Sequence, residues 1–219
     1  MLKSALESAQ TELTVAVEQL DCHHLALNFT NGTVDLRTGE LHSHDRSQLL
    51  TKLVHLDYRP EAQCPHFKTF LYRIMGLEQN EDRAERMVKW LQKALGYSIT
   101  ADTSEKAFFI CSGKTDNGKT TLLSTIQTLF EEYSAVLQVD TLMLRREETN
   151  NSQADLADLR GARFAMTSET EDGQRLSAAK IKRITQGKTG KIKSTRKYEN
   201  PIVFPETHHL WMDSNFKPL

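Results

Sequence analysis

The run Gly113-Lys114-Thr115-Asp116-Asn117-Gly118-Lys119-Thr120 constrains this chain more than any other segment. It fits G-x-x-x-x-G-K-[ST], the spacing of a loop that cradles phosphates. Gly113 and Gly118 let the backbone curl until several N–H groups face one centre, a nest suited to phosphate oxygens. Lys119 adds a full positive charge near the β- and γ-phosphates, and the Thr120 hydroxyl suits Mg²⁺. Four fixed positions match by chance in about one chain in a hundred of this length, so context must carry the rest. Ala107-Phe108-Phe109-Ile110-Cys111 before the loop is a short apolar run fit for a buried strand. Leu122, Leu123, Ile126, Leu129 and Phe130 after it recur at helical spacing. A strand, a glycine loop and a helix whose positive dipole end meets the anion are what phosphate binding needs. Residues 113–121, with Thr121 closing the first helical turn, are therefore the candidate contacts to ATP.

The chain has 219 residues, 38% hydrophobic and 26% charged, with a formal net charge of −1. That is enough apolar material for a core in one large domain or two small ones. No run approaches the ~18 apolar residues of a membrane span, and the amphipathic start (Leu2, Leu6, Leu13, Val17, Leu20) is not a secretory signal. Cys22, Cys64 and Cys111 are odd in number and lack C-x-x-C spacing, which points to a reducing, cytoplasmic setting. Cys22-His23-His24 and Cys64-Pro65-His66 do not supply the two spaced ligand pairs of a zinc site.

Two regions read differently. Residues 1–100 form a small α+β module: a helix over 1–21, a hairpin about Asn31-Gly32, and two helices. Phe67, Phe70, Leu71 and Ile74 line the first of these; Met87, Trp90, Leu91, Ala94 and Leu95 line the second, with Gly96 as its stop. Residues 101–219 alternate strand and helix. Strands are expected at 107–111, 135–139, 163–168 and 208–213, and helices at 119–132, 152–159 and 176–186. The fold class is α/β, a phosphate-loop core behind an α+β front module.

A phosphate loop needs an acid for Mg²⁺ and water at the end of a neighbouring strand. Ala162-Arg163-Phe164-Ala165-Met166-Thr167-Ser168-Glu169 provides one: Glu169 first, Glu171 on the same side two residues on, Asp172 nearby. His209-Leu210-Trp211-Met212-Asp213-Ser214-Asn215 offers Asn215 at a strand tip, where it can feel the γ-phosphate. Lys119, Glu169 and Asn215 are thus the candidate catalytic groups, with Thr120, Glu169 and Glu171 as metal ligands. Between acid and asparagine, nine Lys/Arg and no Asp or Glu fall from Arg175 to Lys197. Concentrated like charge invites an anionic partner. Lys188, Lys191, Lys193, Arg196 and Lys197 are the candidate nucleic-acid contacts. Gly187, Gly190 and the alternation Lys191-Ile192-Lys193-Ser194 suggest a hairpin with ammonium groups at its tip, and Tyr198 is placed to stack on a base.

In this order the pieces resemble the superfamily-3 helicases, and more closely the primase–helicase family of phages, plasmids and large DNA viruses. Residues 27–60 followed by 65–76 resemble that family's accessory domain. LGYSITADTSEKAFFICSGKTDNGKTTLL, LADLRGARFAMTSETEDGQRLSAAKIKRITQG and FPETHHLWMDSNFKP resemble its loop, acidic and sensor motifs, the last with Asn215 and Pro218. The resemblance implies an AAA+-like ATPase using ATP and Mg²⁺, assembled as a hexameric ring around DNA, with the hairpin in the channel. It also implies a further strand and an arginine finger past Leu219, so the chain reads as an incomplete helicase with weak hydrolysis. Thr115 stands where the family commonly has glycine, so a shifted loop geometry is expected. Gln186-Gly187-Lys188 replaces an acidic Gly-Gly-Asp stretch. No acidic site for nucleotide polymerisation is visible in residues 1–100.

The leading expectation is a helicase of mobile-element replication. An ATP- and DNA-binding module without turnover is the alternative. A small-molecule kinase would use the same loop but has no need of the basic segment.

Overall fold

The computed structural model describes residues 15–16, 19–144, 155–168, 175–196 and 199–215. The expected helix over 1–21 falls mostly outside them, as does the start of the one at 152–159.

The front module opens with an antiparallel meander. Strands β1 (Ala26–Phe29), β2 (Gly32–Asp35) and β3 (Glu40–His42) lie in the order β1-β2-β3. Phe29 pairs with Gly32, so Thr30-Asn31 make the turn. Two helices follow, α1 (Pro65–Ile74) and α2 (Glu81–Ser98). Pro65 begins α1, where its missing N–H is no loss. Asn80 caps α2 by accepting from Arg83 N at 2.8 Å, with Glu81 and Asp82 in the first turn. The helix runs through Gly96 to Ser98 rather than stopping there; nothing lies within 4 Å of a Cβ at Gly96, so no close contact ends it.

The second region is a four-stranded, fully parallel sheet: β4 (Phe108–Ser112), β5 (Ser134–Val136), β6 (Phe164–Ser168) and β9 (His209–Ser214), in the order β4-β9-β6-β5. Helix α3 (Lys119–Phe130) follows β4, and α4 (Ala178–Ile184) follows β6. A two-stranded ribbon, β7 (Lys191–Ser194) with β8 (Ile202–Pro205), precedes β9. No helix among the described residues is long and apolar enough to cross a membrane.

Strand alternation gives the sheet two apolar faces. Leu210, Met212 and Ala165 join Ile184, Ile192, Phe204, Leu142 and Leu159 on one side. Trp211 and Phe164 join Leu122, Leu123, Ile126 and Phe130 of α3 on the other. The second cluster also takes in Leu27, Val54, Leu71, Leu91 and Ala94, so the front module packs on the sheet over the α3 side. Of the expected apolar stripes, Leu129 is 44% exposed and Trp90 is 52% exposed, and Met87 also stays outside both clusters.

Polar contacts seal the same junction. Arg163, 3% exposed, donates to the carbonyls of His23, His24, Ala26 and Ile99 at 2.6–3.4 Å and lies over the Tyr133 ring. Glu132 accepts from Leu53 N at 2.8 Å. Trp211 Nε1 donates to Ser98 Oγ at 3.0 Å. Burial lowers the pKa of Arg163, and the four carbonyls supply the acceptors that a buried guanidinium requires.

Candidate functional site

The glycine loop lies between β4 and α3, at the carboxyl ends of the parallel strands, where open α/β sheets bind ligands. Asp116 (φ 60°) and Gly118 (φ 88°) take the left-handed conformation. Alternation of such residues with ordinary ones turns successive N–H groups toward one point. Thr115, where the family commonly has glycine, does not take positive φ. Positive φ falls one residue on, at Asp116, a type that tolerates it better than a β-branched residue. Both loop glycines also meet close neighbours, Gly113 the movable end of the Asn117 side chain and Gly118 the front module. A Cβ at Gly113 would lie 2.3 Å from Asn117 Nδ2, and one at Gly118 would lie 2.7 Å from Ile74 Cγ2 of α1. The front module therefore presses directly on the loop.

Lys119 Nζ is drawn over this cup. It donates to the carbonyls of Gly113 and Lys114 at 2.8 Å, to Asn117 Oδ1 at 3.0 Å and to Asn215 Oδ1 at 3.2 Å. The expected catalytic lysine and strand-tip asparagine are thus brought together from positions far apart in the chain. Thr115, Asp116, Asn117, Gly118, Lys119, Thr120, Thr121, Ser168, Asp213 and Asn215 line one cleft of about 380 Å³.

Asp213 is a site residue that the sequence reading passed over. It is 8% exposed and accepts a hydrogen bond from the Thr120 hydroxyl. Parallel register sets it opposite Cys111 of β4 and Ser168 of β6. A signal was available: Asp213 stands two residues beyond Trp211, so it shares the α3-facing side at the strand's carboxyl end. Burial, reinforced by Asp213, pushes the Cys111 thiol up to about 11, which leaves it inert at neutral pH.

Glu169, Glu171 and Asp172 lie outside the described residues; Ser168, immediately before Glu169, lines the cleft. Among the described residues no group of three or more His, Cys, Asp or Glu is arranged to hold a metal. Thr120 and Asp213 suit Mg²⁺, which typically takes one or two protein oxygens and fills its octahedron with water and phosphate.

The basic segment is distributed differently from the expectation. β7 and β8 do form a hairpin, but its connection is 195–201, and Gly187 and Gly190 lie at its foot. Glu206 fixes that foot. Its Oε2 accepts from Gln186 N at 2.7 Å and Gly187 N at 3.1 Å, and burial raises its carboxyl to about 7. Lys191 and Lys193 point outward, while Ile192 and Ser194 point in. Arg196 is engaged by Asp158 at 2.6 Å. Lys188 sits near His24 and Asp102 at the junction with the front module. Lys197 and Tyr198 lie outside the described residues.

Comparisons with known proteins bear on both regions. Residues 1–76 match a family described as D5 N terminal like, and residues 111–219 match a family of unknown function, DUF5906. A protein of Acanthamoeba polyphaga mimivirus, "Putative helicase L207/L206", is 22% identical over 191 residues, which is 86% of this chain and 19% of that protein. The apo A form of the NrS-1 C-terminal region superposes with a TM-score of 0.51 at 14% identity, covering 73% of this chain and 35% of the other. A second apo structure of that region, residues 305–718, gives 0.50 at 17% identity, covering 73% and 36%. At such identities the structures establish likeness of fold alone. The chain spans about a fifth of the length of the mimivirus relative.

Proposed function

We propose, for a chain that belongs with the superfamily-3 primase–helicases through its D5-type and DUF5906 domains, that it binds Mg·ATP in the loop cleft and couples hydrolysis to movement on DNA. The observation that carries the reading is the convergence of Lys119, Thr120, Asp213 and Asn215 from α3 and β9 on one cleft. The loop amides and Lys119 hold the β- and γ-phosphates. Thr120, Asp213 and the acids after Ser168, Glu169 first and Glu171 beside it, hold Mg²⁺ and orient water. Asn215 is positioned to bond the γ-phosphate and sense its loss. These parts suit a dissociative transfer, in which positioning and charge stabilisation supply most of the acceleration.

The core on this reading is of the AAA+-like kind and works as a hexameric ring. ATP then lies between subunits, and the hairpin faces the channel. Lys191 and Lys193 are its free cationic groups toward DNA. Arg196 must leave Asp158 to join them, and Lys188 approaches from the hairpin foot. Lys197 and Tyr198 complete the set on the connection. A version that binds ATP and DNA without turnover is the alternative.

ATPase and strand-displacement assays on a forked duplex test the proposal. Mg²⁺-dependent, DNA-stimulated hydrolysis with unwinding supports the helicase. Binding of both ligands with no hydrolysis at any protein concentration favours the module.

A further inference from the structure

Helix α3, whose first turn carries Lys119 and Thr120, is held at both ends by the front module. At its amino end stands Gly118, the N-cap, at φ 88°. Helix α1 walls this residue in: a Cβ there would lie 2.7 Å from Ile74 Cγ2 and 3.3 Å from Phe70 Cε2. Phe70 is backed in turn by Phe67, the two rings stacked with centroids 6.2 Å apart. At the carboxyl end, about 18 Å away at 1.5 Å per residue, segment 52–55 holds the exit of the helix. Lys52 Nζ donates to the Glu132 carbonyl at 2.7 Å, Leu53 N to Glu132 Oε2 at 2.8 Å and His55 N to Glu131 Oε2 at 3.3 Å. The Tyr133 hydroxyl donates back to the Lys52 carbonyl at 3.0 Å. Glu131, the C-cap, sits at φ 43°, ψ −108°. A residue with a side chain keeps such a conformation only where its surroundings impose it.

We infer that the front module positions the phosphate loop through α3, with Phe70 and Ile74 as positioning residues at the near end and segment 52–55 as the far anchor, so that nucleotide affinity depends on how the module is seated. The inference rests on the reading of the loop as a triphosphate site and adds to it a control on the loop's shape from outside the parallel sheet. Glycine visits positive and negative φ about equally, so a loop built on Gly113 and Gly118 does not fix the direction of its own amides. Packing from α1 removes the alternatives at Gly118, and that ordering is complete before phosphate arrives. Binding then costs less, which is the gain from pre-organisation. The far anchor keeps α3 from sliding along its axis and carrying Gly118 off its wall. Coupling of this kind is reciprocal: a nucleotide that fixes the loop also tightens segment 52–55.

The test is calorimetry with Mg·ATP and with Mg·tripolyphosphate, well below the melting temperature of every variant. Ile74→Ala should weaken both probes alike by about tenfold, the scale of ordering one residue's backbone. Ile74→Val keeps a branch methyl toward Gly118 and should bind as wild type does. Glu132→Ala alters an exposed residue far from the phosphates, yet it should weaken both probes about threefold. Glu132→Gln still accepts from Leu53 N and should recover most of that loss. Leu159→Ala opens the core on the face of the sheet away from α3; it should lower the melting temperature and leave both affinities unchanged. In wild type, saturating Mg·ATP should slow hydrogen exchange at the Leu53 and His55 amides. Unaltered affinity in Ile74→Ala overturns the inference while leaving the phosphate site intact. An equal loss in Leu159→Ala overturns it by tracing the effect to general loosening. Exchange at Leu53 and His55 that ignores nucleotide overturns it as well. Wild type that binds neither probe removes the loop reading itself.

Discussion

Lys119 Nζ stands 3.2 Å from Asn215 Oδ1, so the loop's ammonium and the tip of the central strand are in direct contact. Arriving phosphate competes with this bond and with the two loop carbonyls that also hold the ammonium. Asn215→Ala should leave the Kd for ATP within about threefold, because the amides and Lys119 remain. It should lower kcat by about a hundredfold, the scale for removing one donor aimed at developing charge. Parallel measurement of Kd and kcat separates the two effects.

Asp213 shares the Thr120 hydroxyl at the place where Mg²⁺ is expected. Asp213→Asn keeps the shape and removes the charge. The Mg²⁺ concentration giving half-maximal hydrolysis should rise about tenfold or more, since a ligand or its orienting partner is lost. Titration of activity with Mg²⁺ at saturating ATP checks this.

Arg163 spends its donors on backbone carbonyls of the front module and on the Tyr133 face. Arg163→Ala strands those carbonyls and opens a void, at a cost of about 3 kcal/mol or more. Urea unfolding should show a lower midpoint. Trypsin should cut faster between residues 50 and 107, because the same guanidinium fastens the module to β6.

Much of this was legible from residues. The glycine loop, its flanking strand and helix, and the order of the later strands follow from apolar runs and a fixed motif, because local spacing determines them. Lys119 and Asn215 were each identifiable; their contact was not, because parallel pairing of β4 with β9 is a long-range fact. The two-residue spacing from Trp211 gives the face of Asp213, but its bond to Thr120 depends on how α3 packs on β9. Trp90 shares the apolar stripe of α2 and yet is 52% exposed. Helical periodicity marks a face but does not reveal how much of that face another element covers. The hairpin was legible, yet its direction was not: the glycines mark the foot that Glu206 grips rather than the tip.

The outward pair on β7 gives a salt-dependent prediction. Lys191→Ala with Lys193→Ala should make the log–log salt slope for single-stranded DNA shallower by about 1.4, at about 0.7 for each lost phosphate contact. Fluorescence anisotropy across a salt series reads it. Stability should stay nearly constant, since both side chains are exposed.

Glu206 gives a pH prediction. Its unfolded value is near 4.5 and burial raises the folded one to about 7. The folded state therefore holds this proton more tightly, and the associated stability is complete below 4.5. It is lost as pH rises toward 7, at up to about 1.4 kcal/mol per unit. Glu206→Gln carries no such titration. The melting-temperature difference, variant minus wild type, should grow from pH 5 to 7 and level off above that.

The central claim is that the loop after Cys111 holds the phosphates of a nucleotide. Calorimetric titration of Mg·ATP into wild type and Lys119→Ala tests it most directly. The account predicts saturable one-site binding by wild type, weakened at least a hundredfold in a variant that keeps its far-ultraviolet circular dichroism and melting temperature. Equal affinity in the two proteins would contradict it.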